Sequence, residues 1–191
     1  MVVRPSAGAG QFYPDDADHL REQVSELLAS AAMPIKNIPK ALIAPHAGYV
    51  YSGATAAAAF ATLRNGVQTI TRVVLIGPPH YVHVRGIAAP AVDAFETPLG
   101  RVLMDAGALD AIAGLPSVIQ DDAAHAPEHA LEVELPFPAQ FLDGLASDLP
   151  AGLLIELQLF VGPRAECRAW HWKPNRMSVR ITVIVQNMKL D

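Results

Sequence analysis

Lys40-Ala41-Leu42-Ile43-Ala44-Pro45-His46 and Arg72-Val73-Val74-Leu75-Ile76-Gly77-Pro78-Pro79-His80 are two short apolar runs, each halted by glycine or proline and each followed by a histidine. Runs of this length that are apolar throughout, rather than alternating, read as strands buried on both faces. Between them residues 52–63 are rich in alanine, which favours a closely packed helix, with Ser52 placed to cap it. Strand, helix and strand in this order predict a parallel crossover unit with helices covering its sheet. The fold class expected is therefore α/β, a mixed, largely parallel sheet flanked by helices, with strands 41–44 and 73–76 parallel in one sheet.

Working outward, Tyr13-Pro14 reads as a turn, and Asp15 and Asp16 open a helix whose apolar positions Leu20, Val24, Leu27 and Leu28 recur at helical spacing. It should end before Pro34. Short strands are expected at 86–90 and 101–104, then a helix over 105–113 capped by Asp105 and closed by Gly114. Another helix is expected from Glu128 to Leu135, interrupted around Pro136 and Pro138, and a strand at 153–161.

The chain of 191 residues is 51% hydrophobic, enough for one sizeable domain with a buried core. A net charge of -5 offers no surface for a phosphate backbone, so nucleic acid is not an expected partner. The single cysteine, Cys167, has no partner for a disulfide within the chain, which fits a reducing compartment. Met1-Val2-Val3-Arg4-Pro5 lacks the pattern of a secretory signal, and apolar stretches fall well short of the roughly 20 residues that span a bilayer. A cytoplasmic protein without a membrane partner is the expectation.

Composition changes beyond Gly162. Residues 1–162 hold 8 Lys plus Arg against 17 Asp plus Glu, whereas 163–191 hold 6 against 2 and contain both tryptophans, Trp170 and Trp172. The expected organisation is an α/β domain over 1–162 and a divergent tail over 163–191. Alternation at Val179, Ile181, Val183 and Val185 suits a terminal strand. A shifted reading frame or an early end in the coding sequence would account for such a tail, and the sheet would then be incomplete at its C-terminal side.

His46 and His80 occupy equivalent places, just past the carboxyl end of an apolar strand. In open α/β sheets the loops diverge at that edge and leave a crevice for ligands. A neutral imidazole ligates transition metals and serves as a general base near neutral pH. A lone loop histidine more often bonds a nearby carbonyl; the paired placement is what points to a shared site. A third cluster is Ala126-Pro127-Glu128-His129-Ala130-Leu131-Glu132-Val133-Glu134-Leu135-Pro136-Phe137. On a helix His129 and Glu132 would share a face and ligate a metal or move a proton. The same acidic cluster also reads as the solvated start of a helix.

Taken in order, five segments resemble the MEMO-like family, which includes the bacterial proteins called AmmeMemoRadiSam system protein B. They are Arg4-Pro5 with Gly10-Gln11-Phe12-Tyr13-Pro14; Ala44-Pro45-His46-Ala47-Gly48-Tyr49-Val50-Tyr51-Ser52-Gly53; Gly77-Pro78-Pro79-His80; Phe95-Glu96-Thr97-Pro98-Leu99-Gly100; and Glu128 through Phe137. The resemblance implies a fold similar to class III non-haem iron extradiol dioxygenases. It also implies a metal crevice with His46 and His80 as ligands, His129 beside it to orient a substrate or shuttle a proton, and redox chemistry on iron or copper. Family members run longer and carry a Ser-Ser-Asp segment, a third site histidine and a site cysteine; His171 and Cys167 match neither and receive no role. Two alternatives stand beside a metal-dependent oxidoreductase. One is a non-catalytic module binding a peptide or small molecule, and the other a metal-dependent hydrolase with Glu132 as base.

Overall fold

A computed structural model of the chain describes residues 1–31, 38–70, 72–142, 154–160 and 181–186. Cys167, Trp170, His171, Trp172 and Val179 lie outside these residues, as do positions 153 and 161 of the expected strand.

The chain runs β1 (Val3–Arg4), α1 (Ala17–Ser30), β2 (Ala41–Pro45), α2 (Tyr49–Ala61), a 3-10 turn (Arg64–Thr69) and β3 (Val73–Gly77). It continues through β4 (Gly86–Ala89), β5 (Ala94–Thr97), β6 (Gly100–Leu103), α3 (Ala106–Ile112), β7 (Val118–Gln120) and α4 (Asp122–His125). A 3-10 turn (Glu132–Glu134), α5 (Pro136–Leu142), β8 (Leu154–Phe160) and β9 (Ile181–Gln186) follow. Six strands form one sheet in the order β2-β9-β3-β8-β4-β7, and β1-β5-β6 form a smaller one.

β2 and β3 both pair antiparallel with β9, so they run in the same direction in one sheet, as expected from the strand-helix-strand pattern. β9 lies between them. The remaining pairings in the large sheet are β3 with β8 and β4 with β7, both parallel, and β4 with β8, antiparallel. The sheet is mixed, and its antiparallel share exceeds what the crossover pattern implied, because β9 from the C-terminal segment enters between two strands that the local sequence joins directly.

Helix α1 buries Leu20, Val24 and Leu28 against the core, a four-residue spacing that stacks one face of the helix. Each side chain so buried contributes about 1.5–3 kcal/mol. Asp16 caps it, accepting from the His19 N–H at 2.8 Å, and Asp105 caps α3 through the Ala108 N–H at 2.9 Å. The core continues through Phe60, Val74, Leu75, Phe95, Leu131 and Phe137, all essentially without exposure.

Three local expectations are corrected. Helix α2 begins at Tyr49 after Gly48, so Ser52 is not its cap but a buried first-turn residue that donates to the Ala47 carbonyl at 2.9 Å. Pro136 opens α5 instead of interrupting a helix, since a residue in the first turn has no intrahelical use for an N–H. Residues 128–131 are not helical. The hairpin of β5 and β6 turns through Pro98 and Leu99, with Thr97 Oγ1 donating to the Gly100 carbonyl at 2.9 Å. Of these two strands only β6 was legible in advance.

Candidate functional site

The carboxyl ends of β2 and β3 deliver His46 and His80 to one place. Their rings meet edge to face, with centres 5.3 Å apart and planes at 66°. The irregular segment before the Glu132–Glu134 turn brings His129 to the same place, its ring centre 4.7 Å from that of His80 and 6.1 Å from that of His46. His46 is fully buried and His129 nearly so, whereas the His80 side chain keeps 27% exposure and so forms the open side of the crevice. All three histidines singled out in the sequence are thus brought together.

His129 is held as part of a stack. Phe12 covers one side at 3.9 Å and 23°, His80 stacks at 25°, and the exposed Tyr81 approaches edge-on at 5.9 Å. Phe12 is positioned by its backbone, whose carbonyl accepts from the Tyr49 N–H at 2.8 Å while its own N–H reaches the Gly8 carbonyl at 2.8 Å. Gly48 permits this approach, since a Cβ there would lie 3.3 Å from the Phe12 carbonyl oxygen.

Glu128 sits beneath the histidines with 2% exposure. One carboxylate oxygen accepts the His80 main-chain N–H. The other lies 2.9 Å from His80 Nδ1, accepts the His129 and Ala130 N–H groups at 2.8 and 2.9 Å, and is 3.2 Å from His129 Nδ1. Burial acts to raise its pKa, but the hydrogen bonds from the His80 ring and main chain and from Ala130, with the neighbouring His80 charge, outweigh it and hold the carboxyl at about 2. His80, Glu128 and His129 each offer a donor atom within 4.8 Å of the others, a spacing compatible with a shared cation. His46 is not part of that set.

Glu132 and His129 both border Gly8, where an added Cβ would meet Glu132 Oε1 at 3.2 Å and His129 Cβ at 3.5 Å. The Glu132 carboxylate takes the Arg4 guanidinium and the Tyr13 hydroxyl, together with the Ala7 and Gly8 N–H groups at 2.8 and 2.7 Å. Burial, followed by this carboxylate, pushes the Tyr13 phenol well above its ordinary value. With its oxygens so engaged, Glu132 is a tie between the N-terminal segment and the 125–132 region, and the base role considered for a hydrolase is not available to it. Arg4 completes the tie by donating to the carbonyls of His125, at 2.9 Å, and Glu128.

Glu134 is wholly buried, and neither carboxylate oxygen has a hydrogen-bond partner among the described residues. Burial raises its pKa well above the ordinary carboxyl range. Nothing local in the sequence marks Glu128, Phe12 and Arg4 as site-building residues. Glu128 was visible only as part of an acidic cluster, and the partners of the other two lie far away in sequence.

A family model described as Memo-like protein matches residues 4–149. Among curated proteins, a MEMO1 family protein of Aquifex aeolicus is 40% identical over 137 residues, covering 72% of this chain and 49% of the relative. Those of Ignicoccus hospitalis and Thermotoga neapolitana are 37% and 34% identical over 155 and 166 residues, covering 75% and 80% of this chain and 53% and 58% of theirs. The chain spans about half the length of the curated relatives it matches. Among the described residues no helix is long and apolar enough to cross a membrane.

Proposed function

Because the chain belongs to the Memo-like protein family, we propose that its histidine crevice is a metal site for redox chemistry, with His46 and His80 as ligands and His129 as the neighbouring acid-base group. The observation that carries this reading is the meeting of His46 and His80 at 5.3 Å and 66°. Two imidazoles bound to one ion through bonds near 2.1 Å have ring centres about 5 Å apart. An imidazole offers its lone pair in the ring plane, so an edge-to-face pair suits a shared ion. The near-parallel stack of His129 on His80 suits it less, and leaves His129 to orient a substrate or to hold and move a proton.

Iron or copper would supply electron transfer or the activation of an oxidant, chemistry that side chains lack. The protein's own contribution is to hold the imidazoles. Phe12 and Tyr81 flank His129 and form an aromatic wall against which a small molecule or a peptide side chain can pack. Glu132 stabilises the loop that carries Phe12.

The test is anaerobic loading of the chain with ferrous iron and, separately, cuprous copper, read by equilibrium dialysis. One ion per chain is expected at saturation, with modest affinity because two imidazoles leave most of the coordination sphere to water. Loading no higher than that of a His46→Ala, His80→Ala double variant would overturn the metal reading. A peptide or small acid that binds equally well after chelation would favour a non-catalytic module.

A further inference from the structure

Glu128 has a use that its place among possible ligands does not convey. A carboxylate presents about four acceptor positions, and those of Glu128 already meet four donors: the main-chain N–H groups of His80, His129 and Ala130, and His80 Nδ1. Three of these contacts crowd Oε1, and the fourth, the His80 main-chain N–H, is on Oε2. A neutral imidazole carries one proton, and the hydrogen bond made by one nitrogen decides what the other presents. Since a carboxylate only accepts, its contact at 2.9 Å places the proton on His80 Nδ1.

Resting on the metal-site reading above, we infer that Glu128 is a positioning residue that fixes His80 as its Nδ1–H tautomer and holds the ring so that Nε2 is the ligating nitrogen. The grip is two-point. The same carboxylate binds the main chain and the ring of His80, so the side-chain torsions are set relative to the backbone. It also binds the main chain of His129, so the two histidines are registered against each other through one buried group. His46 is delivered by a different strand, β2.

The test reads the tautomer directly. The full chain, labelled with 15N at histidine, is examined by long-range proton–nitrogen correlation at about pH 8, above the ordinary histidine range, with a His80→Gln variant assigning the signals. His80 is expected with Nδ1 protonated and Nε2 bare. In Glu128→Gln the amide turns a donor toward one of the former partners, and His80 should shift to a tautomer mixture while cobalt(II) affinity falls roughly 10- to 100-fold. A wild-type His80 protonated at Nε2 overturns the inference whether or not any variant folds. So does a folded Glu128→Gln chain that keeps the tautomer yet loses cobalt, which would make Glu128 a ligand. The tautomer is read without metal, so a wild-type chain with the expected tautomer that binds neither cobalt(II), ferrous iron nor cuprous copper would remove the metal reading and leave the positioning role standing.

Discussion

Arg4 and Glu132 form an ion pair whose side chains are 4% and 0% exposed, joining the first strand to the segment beside the histidines. A buried charge left without its partner is costly, so Glu132→Ala should destabilise the chain by roughly 3–5 kcal/mol. It should also release Phe12 from His129, because Ala7 and Gly8 lose their acceptor. Urea unfolding checks the first effect, and a loss below about 1 kcal/mol would show that the pair is not a structural tie.

Glu128 predicts an acid-sensitive step in the metal-free chain. Its folded pKa of about 2 lies below the reference value of 4.5, so its contribution is present above pH 4.5 and is lost as pH falls toward 2. The amount at stake is on the order of 3 kcal/mol. Thermal unfolding of wild type and Glu128→Gln between pH 6 and pH 2 should give curves that converge on acidification. Parallel curves would contradict the assignment.

Glu134 acts in the opposite sense. Its folded pKa is raised by burial, so its favourable neutral form is fully present below the ordinary value of 4.5 and its contribution is lost as pH rises toward and through the raised one. Glu134→Gln removes the ionisation and should be the more stable chain at neutral and alkaline pH, with the gap closing in acid. A gap of the same size at every pH between 4 and 9 would exclude titration as its cause.

The three histidines should separate in metal binding. His46→Ala and His80→Ala each remove a proposed ligand and should lower iron or copper affinity by more than the roughly 10- to 100-fold that loss of an outer partner costs. His129→Ala should keep affinity within about tenfold while altering ligand binding or the pH profile of any turnover. Isothermal titration of the three variants decides this. Equal losses in all three would make His129 a ligand as well.

Gly86 is needed for its backbone. It has φ +100°, and a Cβ there would stand 2.4 Å from the Ser117 carbonyl oxygen, which accepts the Ile87 N–H at 2.7 Å. Gly86→Ala should therefore cost roughly 1–3 kcal/mol from the backbone conformation alone, with more from loosening the pairing of β4 with β7. Denaturant midpoints of the variant and wild type measure it, and an unchanged midpoint would mean that the start of β4 relaxes freely.

What could be read in advance was what depends on near neighbours in the chain. The caps Asp16 and Asp105, the apolar face of α1 and the strands ending before His46 and His80 are each specified by residues within one or two turns of one another. The shared direction of β2 and β3 follows from the helix between them. Pro136 shows the limit of such reading, because the same residue type ends one helix and starts another and its neighbours do not say which.

Sequence by itself determined that this is an α/β protein with Memo-like motifs and that His46, His80 and His129 are its chemical candidates. Tertiary structure alone decided that β9 lies between β2 and β3, that Glu132 binds Arg4 and not the crevice, and that Glu128 grips His80. The physical reason is the same in each case. Strand order and buried hydrogen bonds join groups that are distant along the chain, and the partner of a buried carboxylate is selected by which donors the packed core leaves within about 3 Å of it.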